Sequence, residues 1–501
     1  MTETFKYLML GFVQVLQPLN IIWLIIGSVL GTVLGMLPGI GPTTGIALML
    51  PLTFVMDPLT ALLTMCAIYY GAMFGGSRSS ILLNIPGDGA AIAACFDGYP
   101  MAKSGKAESA LAISAIASFF GGLIATIAFV FLALPVSQFA LRFRPPEYFV
   151  LMVFALIVTA ASSKGDLFKG LLSIVFGLMF ATVGIELQSG VERMTFGIAE
   201  LQSGIDFIVV IVGVFGLGEV FTNLESLNRQ SLKPIQTKFK KIWITMEEWK
   251  RSIGPILRAT PVGFLVGVLP GAGGTIASLM AYNNEKQISK EPDKFGKGAI
   301  EGLAAPEAAN NAASVGALIP MMTMGIPGSG TTAIMLGALI MMGLQPGPLL
   351  FTQHPALVWG VIASMFLGNI VCAIVNIPMA SLLVRVLAIK PTILYPLVLV
   401  MAFMGVYTVN FSTGDFVLMI MFGVIGYFMK KYKVPTGPMI LAVIVGPMME
   451  QSFSQSMKMT SSCNNIFFSS YICIGLWILT VLSIAYPYIA TGIKKLRTID
   501  I

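Results

Sequence analysis

Four short stretches combine proline, glycine and side chains able to hydrogen-bond: PGIGPTT at 38–44, NIPGDGA at 84–90, PGAGGTI at 270–276 and GIPGSGTT at 325–332. Proline removes a backbone donor and glycine relaxes the backbone, so each stretch interrupts a helix. The freed N–H groups and the neighbouring hydroxyls donate hydrogen bonds, which suits a carboxylate without the cost of burying a fixed charge. The freed C=O groups suit a hard cation such as Na+. The polar side chains at hand are Thr43 and Thr44 in the first stretch, Ser79, Ser80, Asn84 and Asp88 around the second, Thr275 and Ser278 in the third, and Ser329, Thr331 and Thr332 in the fourth. Tight helix packing, which also uses Gly, Ser and Thr in membranes, is the competing explanation for any one of them.

Other side chains with chemical potential are few. In PEAANN at 306–311, Asn310 and Asn311 interrupt an apolar stretch, so their amides need partners, and their oxygens are candidate sodium ligands beside backbone carbonyls. Glu307 is either a proton or cation carrier or part of an amphipathic helix entry, and Arg78 either clamps a carboxylate or snorkels to an interface. The single histidine, His354, has no nucleophile beside it, and no Walker A lysine loop occurs, so neither catalysis nor ATP-driven work is indicated. The five cysteines (Cys66, Cys95, Cys372, Cys463 and Cys473) are scattered and fit small apolar roles. No cofactor is indicated beyond a coupling Na+ or H+.

The elements that carry these groups follow from composition. Of 501 residues, 56% are hydrophobic and 11% charged, against about 25% charged in soluble proteins. The runs 110–141 and 356–384 contain no charge and exceed the roughly 20 residues that span a bilayer as a helix. They are continuous rather than alternating, which excludes a barrel. The expected class is an all-α polytopic membrane protein of about 10–13 transmembrane segments, broken or re-entrant helices included. The net charge of +7 then reflects basic cytoplasmic loops, and nucleic-acid binding is not expected. No cleavable signal peptide is expected at the start.

The chain also repeats itself. GTVLGMLPGIGPT at 31–43 matches GFLVGVLPGAGGT at 263–275 in seven of thirteen positions, an offset of 232 (270 − 38). NIPGDG at 84–89 matches GIPGSG at 325–330, an offset of 241 (327 − 86), and IASFFGG at 116–122 matches IASMFLG at 362–368, an offset of 246 (364 − 118). Matches kept in order, with a slowly growing offset, indicate two halves with loop insertions in the second. Basic residues fall in opposite loops of the halves: Lys103, Lys106, Lys164 and Lys169 have no basic counterparts near 343–355 and 410–415, while 285–301 and Lys430, Lys431 and Lys433 face non-basic loops in the first half. Opposite threading, an inverted repeat, is expected, although Arg142 and Arg144 against Arg385 and Lys390 dissent. The expected organisation is a first half at 1–204, a transmembrane helix and basic cytoplasmic linker at 205–258, a second half at 259–435, and C-terminal helices at 436–501.

Long motifs sharpen this reading. GMLPGIGPTTGIALMLPLTF at 35–54, the block from Tyr70 to Leu111 containing GGSRSSILLNIPGDGAA, RPPEYFVLM at 144–152, GLAAPEAANNAASVGALIPMMTMGIPGSGTTAIMLGAL at 302–339 and GPMME at 446–450 resemble the large membrane subunit of the tripartite tricarboxylate transporter family, the TctA type. The resemblance covers nearly the whole chain. It implies a cation-driven secondary importer of the bacterial inner membrane for citrate or a related organic acid. Its implied partners are a small membrane subunit and a periplasmic solute-binding protein. Implied substrate and ion positions are Pro38, Gly39, Gly41, Pro42 and Thr43; Asn84, Pro86 and Gly87; Pro270, Gly271 and Gly273; and Asn310, Asn311, Pro327, Gly328 and Ser329. Na+ is expected at carbonyls near Gly39, Gly271 and Asn311. Two departures stand out: Arg78 replaces the small residues usual near its Gly-Gly turn, and the run after Glu450, SFSQSMKMTSSCNNIFF, differs where a partner could dock. The expected mechanism is alternating access, elevator-like by analogy. A passive channel, an ion-coupled carrier independent of a binding protein and an intramembrane enzyme are the rivals.

Overall fold

The computed structural model describes residues 2–37, 40–53, 55–162, 167–186, 190–226, 242–271, 273–377, 391–459 and 465–497. In chain order the helices are α1 (Thr2–Val15), α2 (Pro18–Met36), α3 (Pro42–Thr53), α4 (Pro58–Leu83), α5 (Ile92–Met101), α6 (Ala107–Ala140), α7 (Pro145–Ser162), α8 (Leu167–Ala181), α9 (Phe207–Ile211) and α10 (Gly218–Ser226). They continue as α11 (Met246–Val268), α12 (Gly273–Ile288), α13 (Ile300–Gly316), α14 (Leu318–Met324), α15 (Gly330–Met341), α16 (Pro348–Gln353) and α17 (Pro355–Asn376). The last four are α18 (Pro391–Asn410), α19 (Gly414–Lys431), α20 (Thr436–Lys458) and α21 (Tyr471–Arg497). Among the described residues the strands are β1 (Gly184–Ile185) and β2 (Glu192–Arg193), paired antiparallel. Among the described residues six helices are long and apolar enough to cross a bilayer, and shorter apolar helices include Leu167–Ala181 and Gly330–Met341. The protein is an all-α polytopic membrane protein.

Contacts divide the chain into two units, Met1–Ser137 with Ile208–Phe428 and Gln138–Phe207 with Met429–Ile501. In the first, glycine seams set the geometry. A Cβ added at Gly31 or Gly35 of α2 would lie 2.2 or 2.3 Å from the carbonyl oxygen of Ile68 or Ala72 on α4. At Gly263 and Gly267 of α11 the same intrusion would meet the Ala309 and Ala313 carbonyls of α13, at 2.2 and 2.3 Å. Spacing of four residues puts each glycine pair on one helix face, so backbones touch directly. The two seams correspond at the offsets found in the sequence, 232 for the glycines (263 − 31) and 241 for the carbonyls (309 − 68).

The ends of these helices correspond too. Leu37 and Leu269 are extended C-caps of α2 and α11, each donating to the carbonyl three residues back. Asn84 and Gly325 end α4 and α14 in the left-handed region, at φ 57° and 71°. Asp88 then caps the turn into α5 by accepting from Ala91 N, as Ser329 caps α15 by accepting from Thr332 N. In the basic segment read as a linker, Lys250, Arg251 and Arg258 lie on α11, which a capping box of Thr245 and Glu248 starts. Residues 227–241 of that segment lie outside the described residues.

The second unit contains α7, α8, α20 and α21 with the β1–β2 hairpin. Gly177 of α8 would place a Cβ 2.3 Å from the Met439 carbonyl of α20. Arg193 on the hairpin pairs with Glu186 at 2.7 Å and with Glu450, the last residue of GPMME, at 2.6 Å. Phe149, Phe453 and Phe467 pack ring to ring beside them.

The seams make a direct prediction. Gly31→Leu or Gly263→Leu forces the helices apart and lowers the thermal unfolding midpoint in detergent, overpacking costing about 1–3 kcal/mol or more. Gly475→Ala, where nothing lies within 4 Å, leaves it unchanged.

Candidate functional site

All four breaks meet inside the first unit. Break one touches break two where a Cβ on Gly41 would come 3.0 Å from the Asp88 Cβ. It touches break four through Thr43 Oγ1 and Thr331 Oγ1, 2.9 Å apart and free to donate either way. Break two touches break three: a Cβ on Gly89 would lie 2.4 Å from Thr275 Oγ1. Gly271 N donates to Gly328 O at 3.0 Å, tying break three to break four. The amino-terminal ends of α3, α12, α15 and the turn into α5 are therefore gathered in one place. Helix amino termini carry unpaired N–H groups and a partial positive charge, so such a gathering favours an anion.

The polar lining is graded in exposure. Thr43, Thr275 and Ser329 are half-buried, Thr44, Thr331 and Thr332 buried. Tyr69 of α4 extends the set, its hydroxyl 3.3 Å from Ser329 Oγ. Asn310 of α13 borders break three, its Cβ 3.8 Å from a Cβ placed on Gly274. Asn310 is fully buried, yet its Nδ2 has no hydrogen-bond partner. A buried amide donor without an acceptor is costly, by about 1–3 kcal/mol, unless a ligand or water supplies one.

Not every expected position joins this cluster. Pro38 and Gly39, with the carbonyl site proposed near Gly39, lie outside the described residues. Asn84 is exposed and serves as the C-cap of α4, with Pro86 half-buried after it. Gly87 and Gly328 have no room for a side chain: a Cβ on either would strike the Gly35 or Gly267 carbonyl, at 1.9 and 2.6 Å. Ser79 and Ser80 bond the Gly76 carbonyl inside α4, Ser80 also the Ala91 carbonyl, and Ser278 bonds the Thr275 carbonyl. Pro42, Pro270 and Pro327 are buried at the helix breaks.

Two charged residues left open by the sequence are resolved. Arg78 does not snorkel: it is 1% exposed, with Nη1 donating to Leu111 O at 2.7 Å and Nε to Asn376 Oδ1 at 3.2 Å. Glu307 is not at a helix entry. It sits in the middle of α13, fully buried, and its Oε2 accepts from Ser77, Ser114 and Ser118 at 2.5, 3.1 and 3.2 Å. Beside it, Asn311 Nδ2 donates to Glu307 O and Asn310 Oδ1 at 3.2 and 2.6 Å. Among the described residues no group of three His, Cys, Asp or Glu is placed to hold a metal ion.

The entry to α13 is held by a residue the sequence did not single out. Asp97 of α5, fully buried, accepts through Oδ1 from Gly296, Gly298 and Ala299 N at 2.9, 2.8 and 2.7 Å. It ties α5 to the loop that leads into the Glu307–Asn310–Asn311 helix.

The described residues thus form a polytopic helical membrane protein in which four helix breaks are gathered around hydroxyls and amides. Residues 21–441 match the model of the Tripartite tricarboxylate transporter TctA family, and the chain belongs to that family. It is 41% identical over 477 residues, 95% of this chain and 94% of the relative, to an uncharacterized 52.8 kDa protein of the TAR-I ttuC' 3' region of Agrobacterium vitis. It is also 38% identical over 230 residues, 45% of this chain and 95% of the relative, to an uncharacterized protein of the TAR-II ttuC' 3' region of the same organism. No solved structure matches the chain. Family membership identifies it as a membrane subunit of a tripartite tricarboxylate transporter.

The Asp97 anchor is open to direct test. Asp97→Ala leaves three amides without their acceptor and should destabilise the protein by about 3 kcal/mol or more, read as a lowered unfolding midpoint. An unchanged midpoint would remove Asp97 from its anchoring role.

Proposed function

We propose that the chain is the transmembrane carrier of a binding-protein-dependent importer, and that the four gathered breaks hold the carboxylate substrate. The observation that carries this reading is the buried, partnerless Nδ2 of Asn310 beside the joined amino-terminal ends. Thr43, Thr275, Ser329 and Thr331 supply hydroxyl donors, and the first-turn amides of α3, α12 and α15 supply the rest. A citrate-like molecule, with several carboxylates and a hydroxyl, matches a site built from many neutral donors. Neutral donors hold the anion strongly enough to select it and weakly enough to release it, which a cluster of arginines would not.

The two halves, threaded in opposite senses, present this site alternately to the two faces of a bacterial inner membrane. An elevator-like displacement of one set of broken helices is the favoured version, by analogy with other inverted-repeat carriers. A periplasmic binding protein delivers the substrate, a small membrane subunit completes the carrier, and a cation gradient supplies the energy, about 2.3 kcal/mol per charge per 100 mV.

Counterflow tests the reading. The chain is reconstituted in proteoliposomes with its small membrane subunit, its binding protein is added outside, and labelled citrate uptake is followed with unlabelled citrate inside. Stimulation by the internal citrate indicates a carrier; uptake of equal rate without it indicates a pore and contradicts the proposal. Thr43→Val and Thr331→Val each remove a donor to a charged ligand, worth about 1.5–3 kcal/mol, so citrate affinity should fall roughly ten- to hundredfold with folding preserved. Affinity within twofold of the parent in both variants would exclude these hydroxyls from the site.

A further inference from the structure

The second unit holds a cavity that the carboxylate site does not use. α8 and α20 approach through small residues: a Cβ on Gly446 would come 2.9 Å from the Ala181 Cβ. Around that contact Leu178 of α8, Met449 and Phe453 of α20 and Phe149 of α7 line a cavity of about 360 Å3. That is within the range of small-molecule sites, about 300–1,000 Å3. Its walls are apolar, and the hydroxyl among them, on Thr182, is spent on Met179 O at 2.8 Å. Such walls take a hydrocarbon and offer nothing to a carboxylate. Phe453 and Met179 are 41 and 46% exposed, so the cavity borders the outer surface of the helices, where the bilayer lies.

The mouth is charged. Glu450, the charged residue of the lining, accepts through Oε1 from Arg193 Nη1 at 2.6 Å, and Arg193 Nη2 reaches Glu186 at 2.7 Å. All three side chains keep some contact with solvent. Arginine has five N–H donors, so this pairing leaves donors on Arg193 for a phosphate. Glu450 Oε2 is left for a cation. Two carboxylates against one guanidinium favour a headgroup that brings a positive charge along with its phosphate. Aromatic residues mark the depth. The Phe467 ring lies 4.8 Å from Phe149 and 5.7 Å from Phe453, and its carbonyl accepts from Trp477 Nε1 at 3.0 Å. Tyr471, at the start of the same helix as Trp477, is exposed. Tryptophan and tyrosine beside an apolar wall belong to the headgroup level of a bilayer.

We propose that this cavity binds one phospholipid with an amine headgroup, its acyl chain between α7, α8 and α20, its phosphate on Arg193 and its ammonium on Glu450. Lys169 near the start of α8, and Lys430, Lys431 and Lys433 before α20, assign the opposite ends of these helices to the cytoplasm. The bound lipid therefore belongs to the outer leaflet.

Native mass spectrometry of the purified, delipidated full chain tests this, with phosphatidylethanolamine and phosphatidylglycerol of identical acyl chains as probes. The expected result is one phosphatidylethanolamine per chain, held about tenfold more tightly than phosphatidylglycerol, the worth of one hydrogen bond to a charged group. Phosphatidylethanolamine should also raise the thermal unfolding midpoint of the parent more than phosphatidylglycerol does. Met449→Trp and Thr182→Phe fill the cavity from α20 and α8 and should each lose the lipid, with the lipid-free midpoint reporting which of them folds. Glu450→Gln should keep a bound lipid and lose the preference for the amine. Equal affinity for the two lipids in the parent overturns the proposal. Retention of phosphatidylethanolamine in a folded cavity-filled variant, or an intact amine preference in Glu450→Gln, also overturns it. Release of the lipid when the small membrane subunit assembles with the chain would give the cavity to that partner and overturn it as well.

Discussion

Inside a bilayer every backbone N–H and C=O must find a partner within the protein, because lipid offers none. A chain that breaks four helices must therefore cover the broken ends, and here they cover one another. Gly271 N finds Gly328 O, Asp88 and Ser329 cap the turns that follow their prolines, and left-handed residues at Asn84 and Gly325 close the helices before them. The first-turn N–H groups of α3, α12 and α15 are left pointing to the place where the four ends meet, beside the partnerless Asn310 Nδ2. Under the proposed function these donors turn a packing problem into a binding site.

Close approach depends on the glycine seams. α2 lies on α4 and α11 on α13 with backbone against backbone, and any side chain at Gly31, Gly35, Gly263 or Gly267 would push the breaks apart. The seams and caps are shared by the two halves, but the chemistry carried on them is not. At the offset of 241, Cys66 corresponds to Glu307, Tyr69 to Asn310, Tyr70 to Asn311 and Arg78 to Ile319. A common scaffold thus presents tyrosines and an arginine from one half, and a glutamate and two amides from the other. Under the proposed function this asymmetry surrounds one set of gathered breaks with unlike side chains from the two halves.

Much of this was legible in the sequence because the signals are local. Proline and glycine mark the breaks, hydroxyls sit beside them, and the offsets of 232 and 241 recur in the paired seams and caps. Asn310 and Asn311 announced themselves as polar residues in an apolar run. The partners of Glu307 did not, since Ser77, Ser114 and Ser118 lie 230, 193 and 189 residues away and serine is ordinary in membrane helices. Arg78 was ambiguous for the same reason: its bond to the Leu111 carbonyl involves a backbone atom, which leaves no trace in side-chain pattern. Asp97 escaped notice because its three partners are amides of a loop whose course only the fold defines.

The central claim is that the gathered breaks form a carboxylate site reached in turn from both sides of the membrane. In a background with Cys66, Cys95, Cys372, Cys463 and Cys473 replaced, Thr43→Cys can be challenged with a membrane-impermeant thiosulfonate in right-side-out and inside-out vesicles. The account predicts modification from both faces, slowed by citrate. Modification from one face only, at a rate indifferent to citrate, would contradict it.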